Sequence, residues 1–123
     1  MKRVLSLAVI AIVLSMPVLA VAGGPFDGAY SVAATSSNGP PALDYVLVLQ
    51  NGTQIVLTIV YPEIDRWFYG VGTLNGNIGS GTLFLRDNTS FGSFNVTLGA
   101  DGSLSGTLMD AGLTVNLSGS RIF

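Results

Sequence analysis

From Gly28 to the C-terminus, apolar and polar residues alternate with a period near two, and turn dipeptides cut the alternation at short intervals. Phe94, Val96 and Leu98 alternate with Ser93, Asn95 and Thr97, and Leu104 and Leu108 with Ser103, Ser105 and Thr107. Leu113, Val115 and Leu117 alternate in the same way with Thr114, Asn116 and Ser118. Nothing after Gly28 carries the period of about 3.6 that marks a helix. Asn51-Gly52, Asn75-Gly76 and Asp101-Gly102 are strong hairpin signals, of the type I′ kind whose two central residues both take positive φ. Further breaks fall at Pro62 to Asp65, Asp87 to Ser90 and Asp110 to Gly112, and a longer loop at Ser36 to Pro41. These cuts predict eight strands, near 28–35, 44–50, 53–61, 66–74, 78–86, 91–98, 103–109 and 113–122.

Every connection is short enough to join antiparallel neighbours. An even number of strands in a meander leaves the first and last antiparallel, so they can pair and remove both edges. The expected fold is therefore all-β: an eight-stranded antiparallel up-and-down barrel over residues 23–123, preferred to a two-sheet sandwich. One face of most strands is apolar and the other carries hydroxyls or amides. Strands two and three differ: Val46 and Val48 as well as Leu47 and Leu49, and Val56 and Val60 as well as Ile55, Leu57 and Ile59, are apolar on both faces. That hairpin is expected to be covered on its outside. Gly70, Gly72, Gly79, Gly81, Gly106 and Gly119 fall within strands, where they let a small barrel bend; room for a ligand is the second reading.

The first residues have a different pattern. Lys2 and Arg3 precede an apolar run from Val4 to Leu14, Pro17 breaks it, and Ala20-Val21-Ala22 is a small-residue cleavage signature. Residues 1–22 read as a cleavable signal peptide, with export to the periplasm or the extracellular space. A membrane anchor is the competing reading, but the apolar run falls short of the roughly 20 residues a span requires. Removing residues 1–22 leaves Arg66, Arg86 and Arg121 against seven acids, a net charge of −4.

Composition narrows the chemistry. The chain has no cysteine and no histidine, which removes thiol nucleophiles, the usual zinc sites and a Ser-His-Asp relay. No cationic surface is available for nucleic acid. The acids lie beside turns, with Asp27 and Asp44 just before strands, and read as solubilising charges. Asp65-Arg66 and Arg86-Asp87 are adjacent opposite charges of the exposed, weak kind. We expect no catalytic residue, no metal and no cofactor. Asn51, Asn88, Asn95 and Asn116 begin Asn-x-Ser/Thr triplets, which strand alternation also produces without glycosylation. Trp67, Phe68 and Tyr69 are consecutive, so two rings share one face; Trp67 and Tyr69 on the outside would form a surface for a protein partner, or lie under a packed lid such as the loop from Ser36 to Ala42.

The segment Phe26-Asp27-Gly28-Ala29-Tyr30 resembles the opening of the calycin barrels, the lipocalins, fatty-acid-binding proteins and avidins, in which Gly-x-Trp begins the first strand; here Tyr30 stands in the Trp position. Arg121 resembles the basic residue that closes those barrels by lying over the early ring. The resemblance implies barrel closure by Tyr30 and Arg121 and a binder of small apolar molecules, with Tyr30, Tyr45, Phe68, Phe84 and Phe94 as candidate lining residues. The expected function is non-enzymatic binding of a small apolar ligand or a protein partner. One alternative is a very small outer-membrane barrel, since Val115, Leu117 and Phe123 share a face; membrane association is expected only in that case. Another is a structural secreted domain without a ligand.

Overall fold

The computed structural model describes residues 24–36, 39–62 and 66–123; the expected signal peptide at 1–22 lies outside them, as do Asp65 of the Asp65-Arg66 pair and part of the longer loop. The described chain forms β1 (Gly28–Ser36), β2 (Ala42–Asn51), β3 (Gln54–Tyr61), β4 (Arg66–Asn75), β5 (Ile78–Phe84), β6 (Ser90–Leu98), β7 (Ser103–Asp110) and β8 (Leu113–Arg121). They close in that order into an antiparallel barrel, with β1 pairing both β2 and β8. Period-two alternation produces this result directly, because successive side chains point to opposite faces of a strand.

The turns depart in detail from the expected type. Asn51 pairs with Gln54 and Asn75 with Ile78, so the two-residue loops are Gly52-Thr53 and Gly76-Asn77. In each only the glycine has positive φ, at 62° and 63°, the type II′ pattern. Both central residues are positive instead in Ala111-Gly112, between Asp110 and Leu113. Gly102 ends a longer β6–β7 loop with φ of 89°.

The inward face is an aliphatic and aromatic core containing Tyr30, Val32, Val46, Val48, Ile55, Leu57, Ile59, Leu83, Phe94, Val96, Leu98, Leu104, Leu108 and Leu117. Outward, in register, Ser80 pairs with Asn95, Asn95 with Thr107, and Thr107 with Asn116, a polar row across β5 to β8. On β5 to β8 this hydroxyl and amide row stands where a lipid-spanning barrel would carry part of its apolar band. On the doubly apolar hairpin outward Leu47 and Val60 are 1% and 3% exposed, whereas outward Leu49 and Val56 are half-buried, so the outer face is covered only in part.

The strand glycines follow from interior filling and tight curvature. A Cβ at Gly70 would fall 2.7 Å from the Phe94 ring, and one at Gly79 would fall 3.2 Å from Ile55. The space those residues leave is thus occupied by core side chains. Gly72 and Gly81 face each other across β4 and β5, and a Cβ on Gly81 would lie 2.2 Å from the Val71 carbonyl oxygen. Backbone cannot yield as a flexible side chain does, so Gly81→Ala is expected to destabilise by about 1–3 kcal/mol. Gly39→Ala, with nothing within 4 Å, is the neutral control; urea melts of the two variants check the difference.

Candidate functional site

The two ends of the barrel are built differently. At one end are the tight turns after β2 and β4 and the approach to β1. There Tyr30 pairs with Arg121 across β1 and β8, and the guanidinium carbon lies 5.5 Å from the centre of the tyrosine ring. Arg121 Nη2 donates to the Tyr30 hydroxyl at 3.2 Å and to the Pro25 carbonyl at 2.8 Å. The Tyr30 hydroxyl donates to the Phe26 carbonyl at 2.8 Å, while Asp27 accepts a bond of 2.5 Å from the Gln50 N–H. Burial raises the Asp27 pKa despite that bond and the nearby Arg121 charge. Gly28 has φ of 151°, and a Cβ there would meet the Phe123 carbonyl at 2.6 Å. Both features require glycine at the start of β1. This end is sealed.

The other end, formed by the ends of β3, β5 and β7 and the starts of β4, β6 and β8, is open. A cavity of about 370 Å³ enters the barrel there, lined by Phe68, Leu83, Phe91, Leu108, Leu113 and Val115 among others. Phe68 forms its floor, with the Phe91 ring edge-on at 5.2 Å and the Tyr61 ring at 5.4 Å. Phe91 is packed against the core although alternation from Phe94 would turn it outward; a register shift between Leu83 and Phe84, where β5 meets β6, provides the reason. Arg66 and Asp110 lie on the rim.

Asp44 differs from its expected place. It lies inside β2 and is 1% exposed, because β2 begins at Ala42 and the alternation that turns Val46 and Val48 inward turns Asp44 inward too. Burial pushes the Tyr61 hydroxyl pKa above its ordinary value, and the Asp44 charge adds to the effect. Tyr61 therefore stays a neutral O–H donor at the mouth across the ordinary pH range.

Of the aromatic residues expected to line a ligand site, Phe68 alone lines this cavity. Tyr30 is at the sealed end, and Phe94 lies in the space beside Gly70 as part of the core. Tyr45 and Phe84 alternate to the outside, Tyr45 between inward Asp44 and Val46, and Phe84 stacked on Tyr69 at 5.3 Å. Trp67 and Tyr69 also lie on the outside, 6.4 Å apart, and Trp67 reaches the edge of the mouth as well. The loop suggested as a lid over them is shorter than expected, since β1 runs to Ser36, and its Gly39, Pro40 and Pro41 are exposed. Leu108, Leu113 and Val115 carried a legible signal, being the inward positions of strand ends that meet at one rim. Phe91 carried none.

No family model matches the chain, and neither a curated protein nor a solved structure does.

Proposed function

We propose that the protein is an exported, non-enzymatic binding protein that holds a small apolar ligand in the open mouth of its barrel. The observation that carries this reading is the cavity itself. Its volume falls within the range of about 300–1,000 Å³ usual for small-molecule sites, and its walls are aromatic and aliphatic with a few polar groups at the rim. Below Phe68 the interior is filled, so the ligand occupies the outer part of the barrel only. A leader of signal-peptide pattern supports export. The Tyr30–Arg121 contact supports kinship with the calycin barrels; the volume left by Phe94 and Phe68 suits a ligand smaller than a long acyl chain.

The test uses a neutral fluorophore, N-phenyl-1-naphthylamine, titrated into the exported protein. Saturable enhancement is expected, with Leu113→Glu weakening it about tenfold or more, because an uncompensated carboxylate then borders the apolar site. Absence of enhancement, together with a native mass spectrum of host-purified protein free of any retained small molecule, would leave the alternative of a structural domain.

A further inference from the structure

Outside the barrel, beside the open rim, lies a second concavity of about 360 Å³, lined by Arg66, Trp67, Leu85, Arg86 and Asp87. β4 contributes Arg66 and Trp67, and the loop between β5 and β6 contributes the other three. The described residues contain three basic side chains in all, and the two not used to seal the barrel meet in this groove. No hydrogen bond or ion pair to another described residue occupies either guanidinium. Both side chains are exposed, so their planar forks are within reach of an incoming molecule.

An aromatic strip borders the groove. Trp67 stands beside Tyr69, and Tyr69 stacks on Phe84 with 17° between the ring planes. The Tyr69 hydroxyl donates to the Asn88 side-chain oxygen, which fastens the strip to the loop carrying Arg86 and Asp87. Asp87 accepts a bond of 3.0 Å from the Thr89 N–H, and its bonds to Thr89 hold its carboxyl below the usual range, so it is charged. The rings and the carboxylate are thus positioned before any ligand arrives, with the two arginines beside them.

The balance of charge selects among ligands. Two arginines and Asp87 line the groove, which leaves it one positive charge in excess on a chain whose net charge is −2. A single excess charge on an exposed surface is weakened by salt, and the Asp87 carboxylate stands against a multiply charged anion such as phosphate or an acidic peptide. It offers fork-shaped donors and acceptors beside flat apolar rings. Further round the barrel the exterior continues with hydroxyls and amides, Thr82 in register with Ser93 and Ser80 with Asn95. The complementary molecule has an apolar C–H face and many neutral hydroxyls. We propose that this groove binds a neutral saccharide, with the sugar face on Trp67 and Tyr69 and the hydroxyls bonded by Arg66, Arg86 and Asp87.

Trp67 is the one tryptophan in the chain and borders both the groove and the mouth, so its emission reports binding and the variants assign it to one site or the other. The exported protein is titrated with hexasaccharides of glucose, mannose and N-acetylglucosamine, and separately with oligogalacturonate and polyglutamate. A saturable change in Trp67 emission is expected with at least one neutral hexasaccharide, undiminished in about 0.5 M salt, where exposed charges are screened. Arg86→Gln is expected to weaken that binding about tenfold or more while leaving the melting midpoint unchanged. Arg66, Trp67 and Leu85 border both sites, but Leu113 lines the mouth alone and Arg86 the groove alone. Leu113→Glu is therefore expected to leave saccharide binding intact and Arg86→Gln to leave N-phenyl-1-naphthylamine binding intact, and the two proposals fail independently. Silence with all three neutral hexasaccharides, or a response confined to the acidic polymers and abolished by salt, would overturn the proposal.

Discussion

Tyr30→Ala is expected to cost about 3–5 kcal/mol in urea melts, the range for removing a large buried ring. The ring is fully buried in the interior cluster, and its hydroxyl joins three chain segments by donating to Phe26 and accepting from Arg121. Arg121→Ala is expected to cost less, about 1–2 kcal/mol, from a cation over a ring and the packing of its stem. The guanidinium also bonds Pro25, and that contact survives Tyr30→Ala. The double variant should therefore lose less than the sum of the single losses, but more than either alone. Tyr30→Phe separates the ring from the hydroxyl and is expected to cost about 1 kcal/mol. A cycle additive within about 0.3 kcal/mol would mean that the contact seals the barrel without contributing measurable energy. The order of the strands would be unaffected, because it rests on turns and alternation.

Leu57→Ala is expected to destabilise by about 2–5 kcal/mol and Thr97→Ala by less than about 0.5 kcal/mol. Leu57 points into the core between Val48 on β2 and Gly70 on β4. Gly70 has no side chain to move into the vacated space, and the Phe94 ring that fills the room beside Gly70 is itself packed. The cavity would thus persist, which places the loss in the upper part of the range. Thr97 is exposed on the outside and pairs with Ser105. Its methyl and hydroxyl face water in both the folded and unfolded chain, so little changes on truncation. Equal losses at the two positions would mean that the hydroxyl exterior is itself buried in an assembly.

The strands, their order and the inward set from Phe94 to Leu117 were legible because each depends on near neighbours in the chain. A side chain's face follows from its parity, and glycine in a short polar break marks a reversal whichever turn type results. The pairing of β1 with β8 followed from strand count, since an even meander brings its first and last strands together, and the closure by Tyr30 and Arg121 was what the calycin resemblance implied. The failures share a physical cause. Whether the hairpin turned at Asn51-Gly52 or at Gly52-Thr53 depended on the cross-strand register, which joins residues through space. The inward position of Phe91 depended on a shift between β5 and β6, and no pattern within β6 announces it. Asp44 obeyed its parity, and the only error was to start its strand two residues late. The tertiary structure alone decided which end of the barrel stayed open, because that depends on which side chains fill each mouth. It also brought Arg66 and Trp67 of β4 against Arg86 and Asp87 of the β5–β6 loop, because antiparallel pairing returns the end of β5 to the start of β4. Alternation assigns a residue to a face, but only closure of the sheet determines its company there.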